Sequence, residues 1–128
     1  MHEASLAREL VSIIDRAARA RGATRVVRAR LALGRLAGVE AHALGFAFEV
    51  LRAAGAYTAE CELVIEPVPV AVACPACGAR GPCEQPVLGC PRCGGAPVDV
   101  IAGREMLLSS IDVIDVDLSE EPARVPDP

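Results

Sequence analysis

Two short cysteine motifs set the tightest limit on what this chain can fold into. "CPACG" carries Cys74 and Cys77, "CPRCG" carries Cys90 and Cys93, and twelve residues separate the two Cys-x-x-Cys pairs. In each, Pro stiffens the turn, and the Gly after the second Cys can take the positive φ that folds two sulfurs toward one ion. From Cys74 to Gly103 the thirty residues around these motifs hold no aromatic side chain, so burial alone cannot order them. Four thiolates in two such turns suit a closed, tetrahedral zinc site, structural rather than catalytic, and the ion supplies roughly 10 kcal/mol or more toward folding. A rubredoxin-like iron centre uses similar turns, so spacing alone leaves iron open. A thioredoxin-type dithiol would need one reactive pair between a strand and a helix, and neither pair has that setting.

The rest of the chain alternates helix and strand patterns. From Ala4 to Arg21, Leu6, Leu10, Ile13, Ala17 and Ala20 recur at spacings of three and four, which predicts an amphipathic helix stopped by Gly22. "TRVVRARLALG" changes to a period of two, with Val27, Ala29, Leu31 and Leu33 on one face and Arg28 and Arg30 on the other. A second helix follows in "VEAHALGFAFEVLRAAG", lined by Leu44, Phe48 and Leu51 and ending near Gly55. "TAECELVIEP" is again a strand, and its acidic face of Glu60, Glu62 and Glu66 complements the arginine face of the first strand, making the two expected neighbours in a sheet. "REMLLSSIDVIDVDL" restores strand-like content after the cysteine segment.

These patterns predict an α/β fold: a small three-stranded sheet with two helices, formed by residues 1–72 and 104–118, plus an inserted four-cysteine zinc domain at 73–103. Residues 119–128, "SEEPARVPDP", read as a polar, Pro-rich tail without a core.

Composition removes several classes of function. No apolar run approaches the ~18 residues of a membrane span, and no secretory signal pattern opens the chain, so the cytoplasm is the expected compartment. There six cysteines point to metal rather than disulfides. The formal charge of −4 offers nucleic acid little. The cysteine segment carries only Arg80 and Arg92 against Glu84 and Asp99, with no ring on which a base could stack. Charge is nonetheless uneven: residues 1–57 hold nine arginines against five acids, and residues 58–128 hold four against twelve. Arg8, Arg16, Arg19 and Arg21 of the first helix are therefore expected to favour an acidic partner. Cys61, on the apolar face of its strand, and Cys83, without a partner at two-residue spacing, read as a core residue and a bystander thiol.

The opening "MHE" offers a second donor set. A bulky His at position 2 should protect Met1 from trimming, leaving its α-amine beside the imidazole. That amine, the His2 amide nitrogen and His2 Nδ1 can form fused five- and six-membered chelate rings, with the Glu3 amide as a further nitrogen. Planar, nitrogen-rich sets favour Ni(II) or Cu(II). The plain alternative is a terminal His with Glu3 placed favourably at a helix N-terminus. The only other histidine, His42, follows Glu40 at the start of the second helix, where both residues also suit an ordinary helix start.

Taken together, "MHE" ahead of a Leu-rich helix, "RLALGRLAGVEAHALGFAFEVL", the two cysteine pairs and "GREMLLSSIDV" closely resemble the HypA nickel metallochaperones of [NiFe]-hydrogenase maturation. The resemblance spans nearly all of residues 1–116. It implies a non-enzymatic carrier that binds Ni(II) at its N-terminus and delivers it, with a nickel-binding GTPase, to the hydrogenase large subunit. It makes His2 the essential nickel ligand, with Glu3 contributing its amide or carboxylate, and makes Cys74, Cys77, Cys90 and Cys93 the holders of structural Zn(II). Glu40 stands where some relatives have an acidic residue near nickel. Some relatives also bring a zinc-domain His to the nickel, but no His occurs between residues 43 and 128, so the fourth donor stays open among the Met1 amine, Glu40 and His42. Urease maturation proteins as further partners, and a homodimer, are also compatible with the resemblance. The principal alternative is a zinc-stabilised adaptor whose task is protein binding. A metal-dependent hydrolase is poorly served by two histidines and no positioned general base.

Overall fold

A computed structural model describes residues 2–95 and 97–115. Contacts divide the chain into two compact units. One is built from residues up to Leu31, from Glu40–Val64 and from Leu108 onward; the other from Ala32–Val39 and Ile65–Leu107. Along the chain the elements are α1 (His2–Ala20), β1 (Ala23–Gly34), α2 (Ala41–Leu51), a 3-10 turn (Arg52–Ala54), β2 (Glu62–Val68), β3 (Ala71–Ala73), β4 (Arg80–Pro82), a second 3-10 turn (Pro86–Leu88), β5 (Asp99–Ala102) and β6 (Met106–Asp115). Two three-stranded sheets result, ordered β2-β1-β6 and β4-β3-β5. The first sheet with its two helices is the expected α/β layer. The second sheet, in which β3 leads into the cysteine segment and β4 and β5 lie within it, is an addition. The expected tail at 119–128 lies outside the described residues.

In the first unit, α1 ends where Gly22 takes φ 69, a conformation that L side chains avoid. Its buried residues are Ala7, Leu10, Val11, Ile14 and Ala18. This stripe is turned by about one residue from the expected one: Leu10 is shared, Leu6, Ile13 and Ala17 are half-buried and Ala20 is exposed, while Ala7, Val11, Ile14 and Ala18, again spaced by three and four, take the buried face. In β1, Val26 is buried while Val27 is only half-buried, so the expected alternation holds from Ala29 to Leu33 and fails before it. At this point Val26 N–H donates to Tyr57 O at 2.9 Å.

β1 and β2 are neighbours as expected, and charge pairs cross the first sheet. Arg25 pairs with Glu60 at 3.4 Å and Arg28 with Glu62 at 3.2 Å. From the other side, Asp112 of β6 receives Arg28 at 3.3 Å and Arg30 at 3.1 Å. Exposed pairs contribute little energy individually, yet a one-residue slip would separate all of them and turn the apolar face outward.

Asp15 ties α1 to the loop after α2, accepting hydrogen bonds from Ala56 N–H and Tyr57 N–H at 3.0 Å each. Any side chain at Gly55 would collide with Thr58 and Val11, so only glycine fits beneath this loop. Phe48, 1% exposed, is the largest fully buried side chain. Phe48→Ala should lower stability by about 3–5 kcal/mol, read as a fall in Tm of about 10 °C or more. An unchanged Tm would show that this core is not what holds the helices. No helix among the described residues is long and apolar enough to cross a membrane.

The second unit is small. Its sheet pairs β3 antiparallel with β4, Val72 opposite Gly81, and antiparallel with β5 on the other edge, Val72 opposite Val100. Its buried apolar side chains are Leu33, Val70, Val72 and the thiols of Cys74 and Cys90.

Candidate metal centre

Both cysteine motifs form the same turn. In the first, Cys74 N–H donates to Ala79 O at 2.8 Å and Gly78 N–H to Cys74 O at 2.8 Å. In the second, Cys90 N–H donates to Gly95 O at 2.6 Å and Gly94 N–H to Cys90 O at 2.9 Å. Gly78 and Gly94 take φ 78 and 74, the left-handed values that the sequence motif anticipates. The turns also aim amides at sulfur: Cys77 N–H lies 3.4 Å from Cys74 Sγ, Arg92 and Cys93 N–H each 3.3 Å from Cys90 Sγ, and Gly95 N–H 3.4 Å from Cys93 Sγ. Such donors stabilise thiolate over thiol.

The four sulfurs converge. All lie within 4.8 Å of one another, with Cys74 and Cys93 at 3.7 Å and Cys77 and Cys90 at 3.8 Å. A tetrahedron with metal–sulfur bonds of ~2.3 Å has edges of roughly 3.8 Å, so the cluster has the dimensions of a four-thiolate zinc cage. Its electrostatics make the same demand. The Cys93 and Arg92 amides pull Cys90 down to about 6. Cys93 is lowered by the Gly95 amide, yet the surrounding sulfurs of Cys74, Cys90 and Cys77 push it up to about 11. Four thiols this close cannot all ionise at neutral pH without a cation to offset their repulsion. Zinc bound by Cys74, Cys77, Cys90 and Cys93 would supply that charge and cross-link the two turns.

The other cysteines stand apart. Cys61 is fully buried, and burial pushes its thiol up to about 11, as befits a packing residue. Cys83 is half-exposed, its amide bonded to Val70 O at 3.0 Å, and it does not belong to the converging set.

At the N-terminus, α1 begins at His2, so the amides of His2 and Glu3 fall in the first turn, where a helix supplies no carbonyl acceptor. His2 Nε2 lies 4.0 Å from Glu3 Oε2. The same carboxylate oxygen accepts Glu40 N–H at 3.0 Å, which draws the start of α1 to the start of α2. That bond from Glu40 is the main reason the Glu3 carboxyl is lowered to about 2. A depressed carboxyl contributes its stability above the usual carboxylate range and loses it as pH falls toward 2. Glu40 in turn caps α2, its carboxylate accepting His42 N–H at 3.0 Å and Ala43 N–H at 2.9 Å. Glu3, Glu40 and His42 thus share one small region, yet their side-chain donors do not converge with His2 as a metal-sized cluster: among the described residues only the four cysteines do. The Met1 amine lies outside the described residues. Sequence reasoning missed the amide donors of Arg92 and Gly95, although the repeated turn motif implies them. It left the capping role of Glu40 undecided.

The whole matched region, residues 1–113, fits the family described as hydrogenase/urease nickel incorporation, metallochaperone, hypA. The chain belongs to the HypA family. The hydrogenase maturation factor HypA of Chlorobium limicola is 39% identical over 113 residues, spanning 88% of this chain and 97% of the relative. That of Chloroflexus aurantiacus is 42% identical over 113 residues, spanning 88% and 98%. The solution structure of the Ni metallochaperone HypA from Helicobacter pylori shares the fold, with a TM-score of 0.68 at 23% identity, covering 91% of this chain and all of that one.

Proposed function

We propose that this chain is a nickel carrier that binds Ni(II) through His2 and neighbouring nitrogen donors and, with a GTPase partner, passes it to the large subunit of a [NiFe]-hydrogenase in the cytoplasm. Membership of a family of nickel-incorporation metallochaperones carries the reading. The chemistry of the two sites supports a division of labour. Four thiolates held by amide bonds form a cage that retains its ion, and we assign it structural zinc. A carrier must also release its cargo. First-turn amides and an exposed imidazole at a helix start suit that task, because only a few bonds must break.

Glu3 acts here as a positioning group whose carboxylate holds α2 against the first turn of α1. Glu40 supports it from the cap of α2, and His42 is the nearest further imidazole in the sequence. The deciding experiment is metal titration of the untagged protein, with bound metals identified by mass spectrometry. One retained zinc and one further, exchangeable nickel site support the reading. A protein that takes up no nickel beyond the cysteine site is instead an adaptor.

Delivery requires a partner surface. Arg8, Arg16 and Arg19 lie exposed on α1, and Arg21 lies exposed in the turn that follows it. Arg16 rests on Ser12 Oγ at 3.0 Å and Arg19 stacks over the Tyr57 ring at 5.7 Å, so neither is tied up by a carboxylate. Reversal of Arg8 and Arg16 to Glu should weaken salt-sensitive association with the GTPase by tenfold or more, measured by calorimetry at two ionic strengths. Undiminished affinity would remove α1 from that interface.

A further inference from the structure

The second unit contains a cationic cavity that borders the cysteine cage, with which it shares Cys90. It has a volume of about 360 Å³ and is open to solvent, and Arg80 of β4 and Arg92 of the second cysteine turn are its only charged lining residues. Val72, Pro82 and Pro91 supply apolar lining, and Cys90 also lines it. The two arginines differ from those of the first sheet. Arg25, Arg28 and Arg30 each meet a carboxylate. Among the described residues, Arg80 and Arg92 meet none, although the chain carries seventeen acids against thirteen basic residues. Two arginines that meet no carboxylate among the described residues and line one largely apolar concavity match a ligand with the reverse pattern: carboxylates flanking an aliphatic side chain.

We infer that this cavity is a recognition site for an acidic, aliphatic peptide segment of a partner protein, with Arg80 and Arg92 each taking a carboxylate and the Val72, Pro82 and Pro91 walls taking the intervening side chain. The site does not depend on the nickel reading. It does depend on the cysteine turns, because the Arg92 amide is bonded to Cys90 Sγ at 3.3 Å and β4 is held by pairing with β3 immediately before Cys74.

The test is an amide NMR titration of the ¹⁵N-labelled full chain, purified with its bound metal. The probes are acetyl-Glu-Leu-Glu-Leu-Glu-amide, its lysine counterpart and inorganic phosphate. The acidic peptide should produce saturable shifts at Ala79–Gly81 and Arg92–Cys93, weakening as salt rises. The lysine peptide should produce none, and phosphate at most a weak, unsaturated response. Arg80→Gln with Arg92→Gln should reduce peptide affinity tenfold or more while the remaining spectrum and the bound metal are unchanged. Equal saturation by phosphate, unchanged affinity in the double variant, or no saturable response to the acidic peptide at millimolar concentration would each overturn the assignment.

Discussion

Cys74→Ser and Cys93→Ser should each release the bound metal and unfold the second unit, while the first unit keeps most of its helical signal. The expected effect is large because the second unit has little else to hold it. Its buried apolar side chains are Leu33, Val70, Val72 and two of the cysteines themselves, and two of its strands are only three residues long. A structural zinc contributes on the order of 10 kcal/mol or more, more than the roughly 5–9 kcal/mol that three aliphatic side chains can supply by burial. Serine retains the size of the residue but removes a thiolate, leaving a three-coordinate remnant. The first unit has its own core in Ile14, Val26, Leu44 and Phe48, each no more than 1% exposed. Hydrogen exchange should therefore show loss of protection in β3, β4 and β5 and retained protection in α1 and α2. Metal analysis should show zinc in the parent protein and little in either variant. An iron-coloured parent protein, or a second unit that keeps its protection after chelation, would overturn the assignment.

Much of this fold was legible in the sequence because two independent codes agree there. The arginine face of β1 and the acidic face of β2 indicated that the two are neighbours, and Arg28–Glu62 realises it. The cysteine turns were legible to the level of glycine φ, since only a few backbone paths bring two sulfurs to one point. Other features depend on tertiary context. The stripe of α1 is shifted by about one residue, because the helix offers two overlapping apolar stripes at spacings of three and four, and packing decides between them. In β1, Val26 rather than Val27 is buried, so the period breaks before Ala29. The β4-β3-β5 sheet was missed because strands of three or four residues are too short to show a period. Charge composition alone dismissed Arg80 and Arg92 as too few to matter, yet the fold places both on one cavity. At the N-terminus the sequence supplied donors, and the structure adds the bond from Glu40 to Glu3 that orders their surroundings.

That bond shapes the second large prediction, which concerns nickel. His2→Ala should abolish uptake of nickel beyond the cysteine site without changing the fold, because His2 is exposed and contributes no core packing. Nickel must displace protons from every nitrogen donor, so affinity should fall steeply as the solution is acidified from about pH 8 to pH 6. The cysteine cage should hold its ion over most of that range, since its sulfurs are clamped by four amide donors and bound cooperatively. Glu3→Gln separates the roles of the carboxylate and the amide. If the Glu3 side chain only positions α1 against Glu40 N–H, the variant should retain nickel with a moderate loss, as glutamine can still accept that bond. If the carboxylate is itself a ligand, the loss should approach that of His2→Ala. A Gly-Ser extension ahead of Met1 tests the amine in the same way: weakened binding identifies it as a donor, whereas undiminished binding moves the set to His2, the Glu3 amide and a side chain such as Glu40 or His42. Calorimetry of the untagged and extended proteins, with zinc content measured in parallel, distinguishes these outcomes from damage to the fold. Unchanged nickel binding by His2→Ala would show that this N-terminus is not the cargo site.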